Sequence, residues 1–216
     1  MVRIRDIMKG LGAVYAALYG FYALAQSGIA RPVFEDIQNP QIQETTGAYR
    51  QKINWFRNSV PYLVEDAHKI TNRFIKKNSL DIETLEESLN KREGHCKWNS
   101  IITYSNFRYL SKKINPDCIN DVRLSWGQTI QFKFPFIVGH GWIEMKEGSE
   151  WVPYETTRIK TGTEARKIAG VLYVPCESIG IDKNGREEHS FRWGKVLEPI
   201  IFSFKLFGTT IYKAIN

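Results

Sequence analysis

Residues 139–157 read GHGWIEMKEGSEWVPYETT, and this stretch constrains the fold more than any other in the chain. Polar and apolar residues alternate on both sides of KEGSE, and Gly148 can supply the positive φ of a tight turn, so the segment is expected to fold as an antiparallel hairpin. With Glu147 and Gly148 as the loop residues, His140 faces Glu155, Trp142 faces Pro153 and Glu144 faces Trp151. Directly opposed side chains lie about 5 Å apart at Cβ, close enough for a carboxylate to hold an imidazole in one tautomer and to stabilise its protonated form. A slip of one residue would send one partner to the other face, and a three-residue loop with a bulge gives another register. On the hairpin alone, the plainer reading is an ordinary strand histidine beside a solvated glutamate.

The remainder of the chain divides into a helical first half and a strand-rich second half. Residues 26–45 read as a polar lead-in without a clear period, and Thr46 to Arg57 suits a helix with Ile53, Trp55 and Phe56 as apolar contacts. NSVPYLVED reads as a turn into a short extended segment, followed by a helix through Phe74. LDIETLEESLNKRE places Leu80, Leu85 and Leu89 near helical spacing, and Gly94 ends that helix. A new helix starts at once in CKWNSIITYSNFRYL, with Trp98, Ile101, Ile102, Ser105 and Tyr109 on one face, and Pro116 closes the region. From Val122 onward aromatic and β-branched residues alternate with polar ones; TIQFKFPFIV, HGWIEM and WVPYETT fit a meander of antiparallel strands. The apolar tail from Val196 to Ile215 carries Glu198, Lys205 and Lys213 and reads as a packing element rather than a membrane span. Helices followed by strands predict an α+β fold, with the helices packed on one face of an antiparallel sheet.

Cys96 gives His140 and Glu155 a chemical context. It stands in the first turn of a predicted helix, directly after Gly94-His95, where unpaired N–H groups and the helix dipole favour a thiolate. A neighbouring imidazole lowers the thiol pKa further and makes the pair an activated nucleophile, while the Cys96 N–H can serve an oxyanion. Cys118 and Cys176 read as buried small hydrophobes or as a disulfide pair. The three cysteines show no C-x-x-C spacing and no clustering with His, so no structural zinc site and no other metal is expected.

At the amino terminus Arg3, Arg5 and Lys9 precede LGAVYAALYGFYALA, fifteen residues without a charge that end in Ala23-Leu24-Ala25. This has the form of an export signal removed after Ala25. If the run is extended through Ile29 and Ala30, it also has the length of an uncleaved membrane anchor; a buried amino-terminal helix is the third reading. The first two place residues 26–216 outside the cytoplasm, as a secreted, periplasmic, cell-surface or anchored domain. The net charge of +7 suits an anionic membrane or envelope material, or is a scattered solubility charge. No nucleic-acid signature accompanies it.

Three patterns thus occur in order: Gly94-His95-Cys96 at a helix start, His140-Gly141-Trp142 on a strand, and Trp151-Val152-Pro153-Tyr154-Glu155-Thr156-Thr157 on the next. Together they resemble the transglutaminase-like superfamily of papain-type cysteine enzymes, over roughly residues 54–158. A chain of 216 residues suits one domain, expected at 26–216; the resemblance implies Cys96 as nucleophile, His140 as general base and acid, and Glu155 as the orienting acid. Glu155 departs from the Asp more often found at that position. The INPDCINDVRLSWG stretch replaces the Gly-containing turn and small-Arg pair that often follow the nucleophile helix. The resemblance also suggests an upstream aromatic or amide oxyanion donor, for which Trp55 is a candidate; Trp142 is a second candidate for oxyanion or substrate contact, and His95 reads as a wall residue. It implies an acyl-transfer enzyme acting on a protein or peptide through a Cys96 thioester, without a cofactor. Water as acceptor gives a peptidase or amidase and an amine gives a cross-linker; no calcium-loop pattern such as D-x-D-x-D-G is present. A catalytically silent binding module of the same fold is the competing expectation.

Overall fold

The computed structural model describes residues 34–50, 58–131, 136–157 and 171–191. The expectations for the amino-terminal segment, for Ile53, Trp55 and Phe56 and for the tail after Val196 fall outside these residues.

Three short helical pieces lead in: α1 (Phe34–Gln38), α2 (Pro40–Thr46) and a 3-10 turn (Gly47–Arg50). The lead-in expected without a clear period is therefore helical from Phe34 onward. Asn39 caps α2 by accepting the Gln41 N–H at 2.9 Å, and Pro40 occupies the first turn, where its missing N–H costs nothing. Helix α3 (Val60–Phe74) begins where an extended segment was expected, for the same reason: Pro61 lies in its first turn. Its Leu63, Val64, Ala67, Ile70, Thr71 and Phe74 recur at helical spacing and are buried.

Helix α4 is shorter than expected and spans only Leu85–Lys91. Thr84 accepts the Glu87 N–H and the Glu87 carboxylate accepts the Glu83 N–H, a capping arrangement that sets the start at Leu85 and leaves Leu80 89% exposed in the preceding loop. Arg92, at φ 57°, ends α4 in the left-handed conformation. Two-residue strands β1 (Lys77–Asn78) and β2 (Glu93–Gly94) then pair in parallel just ahead of the central helix α5 (Cys96–Ile114).

Helix α5 was expected to bury one face, but it is buried on nearly all sides. Ser100, Thr103, Asn106 and Ser111 are fully enclosed along with Ile101, Ile102 and Phe107. It packs against α1, α2 and α3 on one side and against β3 and β4 on the other. Much of this buried polarity is partnered: Thr103 donates to Thr71, and Asn106 Oδ1 accepts from Thr46 and Arg50, while Asn106 Nδ2 has no partner among the described residues.

A 3-10 turn (Pro116–Asp121) leads into a five-stranded antiparallel sheet of β3 (Val122–Gln131), β4 (Phe136–Glu147), β5 (Glu150–Tyr154), β6 (Val171–Ile181) and β7 (Glu187–Phe191). The order across the sheet is β5-β4-β3-β6-β7. The α+β class expected from the order of the elements is the class observed. The meander is divided differently: residues 129–131 end β3, residues 136–138 begin β4, and HGWIEM lies within β4. Val122, Leu124, Ile143 and Met145 face the helices and complete the core.

Candidate active site

The β4–β5 hairpin fixes where the acid stands. Its ladder pairs Ile143 with Tyr154, Glu144 with Pro153 and Glu147 with Glu150, so the loop residues are Gly148 and Ser149, not Glu147 and Gly148. Gly148 adopts φ +63°, the conformation its lack of a side chain permits. Relative to the expected register each partner moves by two residues, which preserves the faces and changes the offset. Glu155 therefore lies just past the last ladder pair, diagonal to His140 rather than opposite it. The longer glutamate side chain covers that diagonal: His140 Nε2 lies 2.8 Å from Glu155 Oε2.

Since Nε2–H donates to the carboxylate, Nδ1 is the nitrogen left for the thiol. Cys96 is the first residue of α5, and its thiol stands near enough to the His140 imidazole, the His95 ring and the Gly141 N–H for all three to favour the thiolate. Burial pushes the Cys96 thiol up, but hydrogen bonding and charge from His140, with a smaller contribution from His95 and the Gly141 N–H, outweigh it and bring the thiol down to about 6. Burial lowers His140, but its hydrogen bonds to Cys96 and Glu155 and their negative charges raise it to about 10. Glu155 is raised by burial and lowered more strongly by His140 and by Thr157, to about 2. Between about pH 6 and pH 10 the pair is consequently a thiolate facing an imidazolium.

Each member is held by further groups. Glu155 accepts from the Thr157 N–H at 2.8 Å, from the Thr157 hydroxyl and from the Tyr173 hydroxyl at 3.0 Å. The His140 ring stacks on Trp142 at 6.1 Å between centroids, and Trp142 meets Tyr173 edge-on at 5.2 Å. Trp142 is fully buried, so it packs the imidazole from behind. Tyr173 comes from β6, two strands from His140. It reaches the site beside a register shift between Trp126 and Gly127, where a Cβ on Gly127 would lie 2.1 Å from the Val174 carbonyl oxygen.

His95 is the N-cap of α5: its Nδ1 accepts the Lys97 N–H at 3.2 Å, and its Nε2–H donates to the Ile82 carbonyl at 3.1 Å. His95 thus shapes the helix start, and its ring also bears on the Cys96 thiol beside it. Asn78 links the two sides of the site, accepting from Asn99 Nδ2 at 3.2 Å and donating to the Thr157 carbonyl at 3.3 Å. Trp55 lies outside the described residues. Cys118 and Cys176 are free thiols and form no disulfide with each other.

The structure thus brings Cys96, His140 and Glu155 together, with His140 hydrogen-bonded to Glu155 and its imidazole acting on the Cys96 thiol. Sequence reasoning missed Tyr173, the anchoring of Glu155 by Thr157, and Asn78. Only Thr157 had a local signal, a hydroxyl residue two positions after the acid. Among the described residues no group of His, Cys, Asp and Glu is arranged to hold a metal ion.

No family model matches the chain, and no curated protein matches it. Among solved structures it is similar to LapG of Legionella pneumophila in its EGTA-treated form, at 15% identity over 74% of this chain and 80% of that one, with a TM-score of 0.39. The calcium-bound form of the same protein gives 15% identity over 74% and 82% of the two chains, with a TM-score of 0.38. A Cytophaga hutchinsonii protein provisionally described as a cysteine protease gives 17% identity over 72% and 58%, with a TM-score of 0.36. At such identities and TM-scores these similarities assign neither a family nor an activity. The chemistry of the site rests on its own geometry.

Proposed function

We propose that the protein is a transglutaminase-like cysteine enzyme that transfers acyl groups through a Cys96 thioester, most simply a peptidase or amidase. The observation that carries this reading is the grouping of half-buried Cys96 and His140 with buried Glu155, in which the thiol is held at about 6 beside an imidazolium. A lone buried cysteine would be pushed the other way by desolvation, as Cys118 is.

The steps follow from the proton positions. The Cys96 thiolate attacks the carbonyl carbon of a peptide or side-chain amide, and the electron pair of the C=O moves to oxygen. The Cys96 N–H, at the start of α5, can donate to that oxyanion. Collapse of the intermediate breaks the C–N bond, and the imidazolium gives its Nδ1 proton to the leaving amine. Water then attacks the thioester while neutral His140 takes a proton from it; the carboxylic acid leaves and the thiolate–imidazolium pair is restored. Glu155 keeps Nε2–H engaged throughout and favours the charged ring. The export or anchor reading of residues 1–25 would place this chemistry outside the cytoplasm, on a protein or peptide substrate there.

Incubation of residues 26–216 with a mixture of peptide and glutamine-amide substrates, acid quenching and mass spectrometry of the intact protein test the proposal. The expected result is an acyl adduct confined to Cys96 and lost in Cys96→Ser. Free acid as product identifies hydrolysis, and a product joined to an added amine identifies transamidation. A protein that forms no adduct, with a Cys96 no more reactive than Cys118 under the same conditions, would overturn the enzyme reading in favour of a silent binding module.

A further inference from the structure

His68 is a fully buried titratable residue that the proposed chemistry does not use. It lies on α3, on the same helical face as Val64, Ala67 and Thr71, and its ring is directed at the segment that carries Glu155. Its Nε2 lies 3.0 Å from the Thr156 carbonyl oxygen. A carbonyl only accepts, so Nε2 carries the proton. In the neutral ring Nδ1 is then an acceptor, and the Tyr154 hydroxyl, 3.3 Å away, donates to it. The two rings also meet edge-on, with centroids 5.5 Å apart and an interplanar angle of 82°.

Tyr154 and Thr156 are the immediate neighbours of Glu155. The β5 ladder ends at Tyr154, so Glu155 lies just beyond the last strand pair. An imidazole that merely filled the core would not need both nitrogens on the two residues flanking one carboxylate. From this geometry we infer that His68 is a positioning residue, a clamp that sets Glu155 at hydrogen-bonding distance from His140. The assignment rests on the triad proposed above. Its consequence passes along the chain: a loosened Glu155 stabilises the imidazolium less, and the imidazolium then stabilises the Cys96 thiolate less.

The test is the pH dependence of iodoacetamide labelling at Cys96, read by mass spectrometry beside the melting temperature. His68→Leu keeps bulk and removes both polar contacts. Its labelling midpoint should rise by about one pH unit or more, which is a roughly tenfold loss of reactivity at pH values below the midpoint. His68→Gln, which can still donate to the Thr156 carbonyl, should recover most of the shift. Tyr154→Phe, which keeps the ring and removes the hydroxyl, should move the midpoint in the same direction by less; it serves as the primary variant if His68→Leu does not fold. Thr71→Ala removes a buried hydroxyl one turn along α3, where Thr71 pairs with Thr103. It should lower the melting temperature without moving the midpoint.

The clamp is overturned if His68→Leu and Tyr154→Phe label with the wild-type midpoint, or if Thr71→Ala shifts it as far as they do. A wild-type midpoint in the ordinary thiol range is a different outcome, because it removes the activated cysteine itself and the clamp with it.

Discussion

Two acid–base pairs are built on β4, at His140 and Glu144, four residues apart. At the inner end of β4, Glu144 accepts from Arg123 Nε at 2.7 Å, and the guanidinium is covered by Trp151 at 3.8 Å. At the outer end, His140 meets Glu155 at 2.8 Å with Trp142 and Tyr173 packed around it. The Arg123–Glu144 pair is buried and His140 is half-buried, and both pairs have an aromatic ring against the cation. They differ in the cation. A guanidinium keeps its proton at any ordinary pH, so the Arg123–Glu144 pair can only hold β3 to β4. An imidazole can give its proton up, and His140 has a thiol on its other side to exchange it with. The same scaffold therefore carries one pair suited to architecture and one suited to chemistry, separated by the identity of a single side chain and its third neighbour.

Breaking each pair should break a different property. Glu155→Gln keeps size and hydrogen-bonding capacity but removes the charge behind His140; acylation of Cys96 should fall by a factor on the order of 10² to 10⁴ with the fold retained, as read by single-turnover adduct formation. Arg123→Met leaves Glu144 buried without its guanidinium. Denaturant unfolding should show a loss of about 3–5 kcal/mol, while the pH midpoint of Cys96 labelling stays where it is. Tyr173→Phe removes one of the groups that hold Glu155 and should slow acylation by about 3- to 10-fold, the size of effect expected for one hydrogen bond to a charged acceptor. Gly148→Ala forces a side chain into the left-handed turn of the hairpin. It should cost about 1 kcal/mol in unfolding experiments and leave the thiol's titration unchanged.

The same contrast marks what the sequence made legible. His140 and Glu155 announced themselves because a hairpin brings residues close in sequence to one place, and alternation around Gly148 showed which faces they share. The exact register did not, since moving the loop by one residue leaves the alternation intact; only the ladder shows Glu155 diagonal to His140. Cys96 was legible from its place at a helix start, although the capping of that start by the His95 ring was not. Tyr173 and His68 left no local signal. One arrives from β6 past a register shift, the other from α3, and both meet Glu155 or its neighbours only through tertiary packing. The helix starts at Pro40 and Pro61 run against the expected aperiodic lead-in and extended segment for a simpler reason: proline in a first turn favours a helix.

The central claim is that Cys96 is a thiolate because His140 is an imidazolium, and labelling by iodoacetamide from pH 4 to pH 11, in the wild type and in His140→Ala, tests it most directly. The wild type should become reactive through a midpoint near pH 6, well below Cys118, whose burial pushes its thiol up. In His140→Ala the burial of Cys96 remains and its partner is gone, so the midpoint should climb to the ordinary thiol value of about 8.5 or beyond. A wild-type midpoint already in that range, and unmoved by the loss of His140, would contradict the account.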